Sequence, residues 1–548
     1  MAHALAGKPV REQDIIDVQT IVDAYFDNVP DVTNPTQLVS FGTSGHRGTS
    51  VDGTFTDLHV AAITQAICDS RKQFGATGPI FVGQDTHALS QPALVTVLEV
   101  LAGNGVTAMV DCDMDFVPTP SVSRAIIRYN EEHDDKADGI IITPSHNPPD
   151  NGGIKYNTII GGPADTVVTK WIEMRANEYL TAYCESEDFK RISIDNIEPT
   201  AQVPYDYKGL YVEELGDVIN MEAIKAAGPK VLVDTLGGSG ASYWNAIKER
   251  YGLDLTIIHD DYDPTFSFMT YDHDGKVRMD CSSTYVMASV INRIGDFDLA
   301  VGNDPDYDRY GIVVSSGLIS ANTFLTLAAR YLFTTRGWKN KGVGKTVVCT
   351  TMIDKWATSA EIPVFEVPVG FKYFSQLLFD GAIGIGGEES AGASFLKKDG
   401  TVWTTDKDGM IMALLSMEIM AVMGKSALKM ADESLEEFGN PSFGRIDAPC
   451  KKEQKQILKQ MSAELITATT VDGDPITNIR TTSLYNDMPI DGVRVETDKG
   501  WFVARPSGTE DLYKIYGESY KGDLGLVALL TAGEEIVNAA LSGTIETE

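Results

Sequence analysis

The chain is 548 residues long, 43% hydrophobic and 22% charged, the composition of a folded protein with several cores and not of a disordered one. At roughly 100–200 residues per domain, three to five domains are expected. Asp and Glu number 78 against 45 Lys and Arg, a formal charge of −33. No basic stripe offsets this, so neither nucleic acid nor an anionic membrane surface is an expected partner.

The opening residues, MAHALAGKPVREQD, lack the apolar core of a signal peptide. Helical periodicity runs over Thr56–Phe74, a short apolar strand over Pro79–Val82, and a second helix over His87–Asn104. Val106–Val110 and Gly139–Ile142 read as strands, and this alternation predicts α/β layers. Lys208–Ala227 predicts a helix, and Lys230–Val233 a strand that ends at Asp234 before the turn GGSG. Phe297–Val301 is a predicted strand running into NDPDYDR. Thr323–Leu332 reads as a helix, Thr346–Thr350 as a strand, Phe371–Phe379 as a helix and Ile383–Ile385 as a strand. Met410–Met423 is the most apolar run, but it contains Glu418 and falls short of the roughly 20 residues of a membrane span. It therefore reads as part of a buried helix, Gly409–Met423. From about Asn440 the pattern changes to strands (Gly492–Glu496, Trp501–Ala504, Leu512–Tyr516) and a helix near Gly525–Leu541. Boundaries near 205, 320 and 440 give domains 1–205, 206–320, 321–440 and 441–548.

Six scattered cysteines (Cys68, Cys112, Cys184, Cys281, Cys349, Cys450), with no C-x-x-C pair, argue against a disulfide scaffold or zinc site. A cytoplasmic location is expected. The eight histidines do not cluster: His46 and His146 fall in polar loops, and the rest, His87 among them, read as structural or exposed. GVGKT (Gly342–Thr346) resembles the end of a phosphate-binding P-loop, but the earlier glycine is Lys339 and a strand, not a helix, follows.

Five polar loops are the places for chemistry, four of them read as following strands: FGTSGHRG (Phe41–Gly48), TPSHNPPDNGGIKYN (Thr143–Asn157), NDPDYDR (Asn303–Arg309), GGEESAG (Gly386–Gly392) and RPSGTED (Arg505–Asp511). In open α/β sheets, ligands bind beyond the carboxyl ends of strands. In NDPDYDR, Pro305 favours a tight loop in which Asp304, Asp306 and Asp308 converge. Three close carboxylates repel unless a cation joins them, and Mg²⁺ suits an all-oxygen set with an open position. Arg309 beside them would bind a phosphate bidentately. The alternative is a solvated acidic turn. Ser145 is held between Pro144 and His146 in an exposed turn and could be a nucleophile, though it is no hydrolase elbow. Lys155 could supply positive charge. Glu388 and Ser390 could bond the vicinal hydroxyls of a sugar, and Arg505, Ser507, Gly508 and Thr509 make an anion cradle.

Together, in the order FGTSGHRG, TPSHNPP, DPDYDR, GEESAG, RPSGTE over residues 41–510, these loops resemble those of the α-D-phosphohexomutase superfamily. NDPDYDR, PVGFK (Pro368–Lys372) and GGEESAGASF are most similar to its bacterial phosphoglucomutase branch. The resemblance implies an α/β protein of four domains around a central cleft: three related mixed-sheet α/β domains and a smaller C-terminal α+β domain. It implies an isomerase, an intramolecular phosphotransferase that interconverts glucose 1-phosphate and glucose 6-phosphate through a phosphoserine and glucose 1,6-bisphosphate, the latter both activator and intermediate. Ser145 would carry the phosphoryl group, and Asp304, Asp306 and Asp308 would hold Mg²⁺ with a phosphoserine oxygen. Arg47, His146, Lys155 and Arg309 would line the reacting centre. Thr43, Ser44, Gly370, Lys372, Glu388, Ser390 and Lys407 would bind the substrate, and Arg505, Ser507, Gly508 and Thr509 the phosphate that is not reacting. Lys155 and His146 are both open as the proton acceptor.

Pro305 stands where the family's commoner metal loop has glycine, Tyr307 fills its variable position, and Val369 replaces a frequent threonine. GEES favours glucose by family analogy. The implied partners are small sugar phosphates, for a monomer or homodimer. A mutase acting on mannose, glucosamine or pentose phosphates is the alternative, with a metal-dependent phosphatase or a non-catalytic sugar-phosphate binder behind it.

Overall fold

The structure, a computed structural model, describes residues 2–42, 45–184, 189–506 and 512–545. It contains two compact units. The first comprises Met1–Ala321, Phe374–Ala382 and Ser390–Leu428; the second comprises Asn322–Tyr373, Ile383–Glu389 and Lys429–Glu548.

The first unit is built on two mixed sheets. Strands β1 (His46–Thr49), β2 (Ile80–Gln84), β3 (Ala108–Asp111), β4 (Asp138–Ile142), β5 (Asn151–Asn157) and β6 (Gln202–Tyr205) form one, in the order β1-β5-β4-β2-β3-β6. β4, β2, β3 and β6 are parallel, while β5 and β1 run antiparallel at one edge. β2 and β4 are buried at every position, as short continuous apolar runs are when both faces of a sheet are covered. The period-two alternation sorts them. Ile140 and Ile142 join Ile63, Leu98 and Ile172 in one core, and Ile141 joins Phe81, Val122 and Ile126 in the other.

The second sheet uses β7 (Val231–Asp234), β8 (Leu255–Ile258), β9 (Leu299–Asn303), β10 (Tyr310–Val314) and β11 (Gly317–Leu318), in the order β11-β10-β9-β7-β8. β9, β7 and β8 are parallel and β10 returns antiparallel. The two sheets thus repeat one device: a buried parallel strand runs into a loop and comes back beside itself. Between β4 and β5 the loop holds Ser145; between β9 and β10 it holds Asp304–Arg309. The helix Gly409–Met423 packs on β9 and β10. It starts where the Asp408 carboxylate accepts the Ile411 N–H and stops at Gly424, whose φ of 61° suits a residue without Cβ.

The second unit holds a parallel group in the order β13 (Val364–Val367), β12 (Gly342–Thr346), β14 (Ile383–Gly387). The short strand β15 (Ala393–Phe395) belongs to the first unit. An antiparallel sheet follows in the second: β16 (Ser442–Pro449), β17 (Thr470–Val471), β18 (Asp474–Thr482), β19 (Pro489–Thr497), β20 (Gly500–Pro506) and β21 (Leu512–Ser519), in the order β16-β21-β20-β19-β18-β17. The helix Gly522–Ile545 buries Leu529, Leu530, Val537 and Leu541 against it.

Some expectations change. The helix expected over Lys208–Ala227 is two, Tyr207–Val218 and Met221–Ala227, because the Asn220 side chain accepts the Ala223 N–H and begins a new one. The strand expected at Thr346–Thr350 lies earlier, at Gly342–Thr346, so GVGKT is itself strand; Lys345 is buried there, bonded to Asp354 and the Thr350 carbonyl. The sequence reading missed the helices Thr119–Glu132, Thr166–Cys184 and Ala427–Phe438 and the strands β16, β17 and β18. A longer apolar helix segment, Gly522–Ser542, is long and apolar enough to cross a membrane by length and composition, although a third of it is buried in the fold.

Candidate active site

Ser145 follows β4 with a φ of 58°, a left-handed backbone that costs a non-glycine residue roughly 1–3 kcal/mol unless its surroundings impose it. Its N–H donates to Thr143 Oγ1 at 2.7 Å. Its Oγ is buried, 3.1 Å from an Arg47 nitrogen and 3.4 Å from Asp306 Oδ2. Arg47 and Lys155 stand on strands, not in loops as the motifs suggest. Arg47 is on β1 opposite Gly153, Lys155 on β5 opposite Ile141, and FGTSGHRG opens a strand instead of following one. Gly45 and Gly153 have no room for a Cβ, which would strike the Ile154 carbonyl at the first and the Thr143 carbonyl at the second.

Asp304, Asp306 and Asp308 converge as expected. All three are buried, and one oxygen from each lies within 4.8 Å of the others. The loop is fixed by one backbone group of its own, at Arg309, and by groups the motif does not contain. Arg309 N–H donates to Asp304 Oδ1 (2.9 Å), Thr119 Oγ1 to Asp306 Oδ2 (2.8 Å), and Thr119 N–H to the Asp306 carbonyl (3.0 Å). Tyr307, at φ 63°, buries its ring over Gly238 and Gly240, whose Cβ positions it fills. The Pro305 carbonyl accepts both the N–H and the hydroxyl of Ser239 at 2.8 Å. The GGSG turn after β7 is therefore the seat of the aspartate loop, and Pro305 and Tyr307 are fitted to it.

Charge is gathered tightly around the three carboxylates. Lys155 Nζ lies 2.6 Å from Asp306 and 3.2 Å from Asp308; Lys407 Nζ lies 2.8 Å from Asp308. Lys407 is brought there by its neighbours. Asp406 accepts from Asn157 (2.9 Å), and Asp408, pushed up to about 6 by burial, accepts from Tyr211 and Trp403. Burial opposes the charge of Lys155, but Asp306 and Asp308 outweigh it and hold the ammonium well into its charged form. Burial, then Asp306 and Asp308, pushes Asp304 well up; against burial, Lys407 and Lys155 hold Asp308 well down.

His146 does not reach Ser145. Its Nε2 faces Asp280 Oδ2 at 3.8 Å, and the same oxygen accepts from Arg309 at 3.2 Å. Burial and the neighbouring Arg309 push His146 well below its ordinary value. Arg309 comes no closer than 4.0 Å to Asp308, so its backbone N–H, not its guanidinium, orients the aspartates. Asp280 and Thr119 escaped the sequence reading because neither lies in a polar motif loop.

The first unit thus brings together Arg47, Ser145, His146, Lys155, Asp304, Asp306, Asp308, Arg309 and Lys407. Ser390 also belongs to it, while Gly370, Lys372, Glu388 and Arg505 belong to the second unit. There Gly370 adopts φ 131° just before the helix Lys372–Phe379, Glu388 is buried after β14, and Arg505 stands on β20 opposite Lys514. Thr43, Ser44, Ser507, Gly508 and Thr509 lie outside the described residues.

The donor set fits a hard divalent cation. Asp304 Oδ2, Asp306 Oδ1 and Asp308 Oδ1 are buried and have no hydrogen-bond partner among the described residues, and three carboxylates with a phosphoryl oxygen make the all-oxygen set that Mg²⁺ takes.

Four family models match the chain in sequence: phosphoglucomutase/phosphomannomutase alpha/beta/alpha domain I over residues 38–182, domain II over 210–317, domain III over 320–438 and the C-terminal domain over 447–524. The phosphoglucomutase of Komagataeibacter xylinus is 46% identical over 539 residues, 97% of each chain. Among solved structures, parafusin (phosphoglucomutase) of Paramecium in its open form matches with a TM-score of 0.71 at 19% identity, covering 94% of this chain and 96% of that one. The N-acetylphosphoglucosamine mutase of Aspergillus fumigatus, in complex with GlcNAc-6P and magnesium, matches at 0.53 and 15%, covering 96% and 99%. The chain belongs to the phosphoglucomutase/phosphomannomutase family and is a phosphohexomutase, an isomerase that works as a phosphotransferase.

Proposed function

We propose that the chain interconverts glucose 1-phosphate and glucose 6-phosphate, with Ser145 as phosphoryl carrier and glucose 1,6-bisphosphate as the intermediate. The observation that carries this reading is the placement of a buried serine hydroxyl, in an imposed left-handed backbone, between Arg47 and a carboxylate of a three-aspartate cluster. The 46% identity to a phosphoglucomutase along nearly the whole chain supports glucose as the sugar.

Asp304, Asp306 and Asp308, with a phosphoserine oxygen, would hold Mg²⁺, which supplies charge neutralisation at the transferring phosphoryl group. The chain's own residues do the rest. Arg47 donates to the oxygen that carries the phosphoryl group, and Arg309, steadied by Asp280, offers a second guanidinium to phosphoryl oxygens. Phospho-Ser145 gives its phosphoryl group to the free hydroxyl of the sugar, whose proton passes to His146, held neutral by burial and Arg309, or to Lys155 once the proton that Asp306 and Asp308 hold on it has left. After the bisphosphate turns over, the other phosphoryl group returns to Ser145. On their motifs we assign Thr43, Ser44, Gly370, Lys372, Glu388, Ser390 and Lys407 to the sugar phosphate, and Arg505, Ser507, Gly508 and Thr509 to the phosphate not in reaction.

The test is a comparison of kcat/KM for the 1-phosphates of glucose, mannose, glucosamine and ribose, with Mg²⁺ and a trace of the matching bisphosphate. A preference for glucose supports the reading. A higher value for another sugar removes the glucose assignment, and release of inorganic phosphate in place of isomerisation removes the mutase.

A further inference from the structure

Behind Ser145 runs a chain of buried polar groups that the reaction as described does not use. The Thr143 hydroxyl accepts the Ser145 N–H at 2.7 Å and donates to Asp85 Oδ2 at 2.6 Å. Asp85 Oδ1 accepts the Ser90 hydroxyl (2.6 Å) and the His87 N–H (3.0 Å). The His87 ring closes the circuit: Nδ1 lies 2.8 Å from Asp85 Oδ2 and Nε2 lies 3.0 Å from the carbonyl of Asn147. Asp85, His87, Ser90 and Thr143 are all at most 2% exposed. The network therefore grips the serine turn on both sides, at Thr143 and at Asn147.

The chemistry of the partners fixes the protons. A carbonyl can only accept, so Nε2 must donate to Asn147. The Thr143 hydroxyl spends its one proton on Asp85 while accepting from Ser145; Asp85, kept a carboxylate against burial by His87 and by the hydroxyls of Ser90 and Thr143, accepts at both oxygens, so Nδ1 donates to it. Both ring nitrogens are donors, and His87 is an imidazolium. The charge environment agrees: burial works against the cation, but Asp85 and, beyond it, Asp306 outweigh burial. The other neighbour is apolar, the Phe266 ring at 5.0 Å.

We propose that Asp85, His87 and Thr143 are positioning residues, an imidazolium–carboxylate–hydroxyl relay that holds Ser145 in its left-handed conformation with its Oγ aimed at Arg47 and Asp306. The inference rests on Ser145 being the phosphoryl carrier. Ser145 has no glycine's freedom at φ 58°, so the conformation must be held from outside, and the bond that holds its N–H is the one Asp85 orients. A shift of about 1 Å in an attacking atom costs roughly 10²-fold in rate.

Thr143→Val removes the relay hydroxyl at nearly constant volume, and Thr143→Ser keeps it. The experiment follows phosphorylation of Ser145 by glucose 1,6-bisphosphate with Mg²⁺, using intact-protein mass spectrometry, in the native chain and both variants. The expected result is rapid labelling of the native chain, labelling slowed roughly 10²-fold in Thr143→Val, and recovery to within about tenfold of native in Thr143→Ser. Thr143→Val labelled at the native rate, or Thr143→Ser as slow as Thr143→Val, overturns the proposal and leaves the carrier assignment standing. No label at Ser145 in the native chain overturns the carrier assignment and the proposal with it. Independently of any variant, the ¹⁵N resonances of His87 in the native protein at neutral pH should report two protonated ring nitrogens; a neutral tautomer overturns the relay as drawn.

Discussion

Replacing Lys155 by methionine tests the electrostatic reading of the aspartate loop. With the metal removed by chelator, Lys155 and Lys407 are the lysines in contact with Asp306 and Asp308 among the described residues, and of the two Lys155 touches Asp306. Methionine keeps most of the volume and removes the charge. Asp306, with no exposed surface, would keep the neutral Thr119 hydroxyl at 2.8 Å and Ser145 hydroxyl at 3.4 Å, with the Arg47 guanidinium as the nearby positive charge. Removing one member of a buried ion pair costs about 3–5 kcal/mol, because the other charge stays desolvated. A divalent cation at the same carboxylates would repel the native ammonium and relieve the variant. Magnesium should therefore stabilise Lys155→Met more than the native chain, by at least about 1.4 kcal/mol, a tenfold tighter Kd. The assay is urea unfolding followed by tryptophan fluorescence, in chelator and in excess magnesium. A variant within about 1 kcal/mol of native in chelator, or an equal response of both proteins to magnesium, would refute the reasoning.

Gly240→Ala puts a methyl group into the Tyr307 ring and should cost about 1–3 kcal/mol by overpacking, with weakened magnesium binding measured by calorimetry because the seat of the aspartate loop is displaced. His59 donates from Nε2 to the Gln37 carbonyl and accepts the Thr56 N–H at Nδ1; burial, then His46, pushes it from 6.5 down to about 3. The unfolded chain takes up that proton first, so stability is full above about 6.5 and falls as pH drops towards 3, by on the order of 4 kcal/mol. Chemical unfolding across that range should show a shallower slope for His59→Gln. In the second unit, Glu496 sits 2.5 Å from Arg494 and 3.1 Å from Arg480 and, against burial, is held at about 2 in place of 4.5. Its contribution is present above 4.5 and is lost as pH falls towards 2, so Glu496→Gln should lower the unfolding midpoint at pH 7 and leave it nearly unchanged near pH 2.

What the sequence made legible was whatever is local. Buried strands such as Asp138–Ile142 and Leu299–Asn303 announce themselves as apolar runs, and Asp304, Asp306 and Asp308 converge because a short loop leaves them little choice. Lys407 could be tied to the site only through the family, since two of the contacts that place it come from Asn157 and Tyr211, far away in the chain. Asp280, Thr119 and the His87–Asp85 pair were illegible for the same reason: each acts on a residue far along the chain, and nothing in MDCSS or DTHALS marks its partner. The polar strands Ser442–Pro449 and Asp474–Thr482 escaped because half-exposed strands carry too few apolar positions to stand out, and Val364–Val367 because four residues are too short a run.

The central claim is that one serine carries the phosphoryl group of a glucose phosphate mutase. It is tested most directly by conversion of glucose 1-phosphate to glucose 6-phosphate, with Mg²⁺ and a trace of glucose 1,6-bisphosphate, by the native chain and by Ser145→Ala. The account predicts turnover by the native chain and a loss of several orders of magnitude, at least about 10⁴-fold, in a variant that stays folded. Turnover in Ser145→Ala within tenfold of native would contradict it.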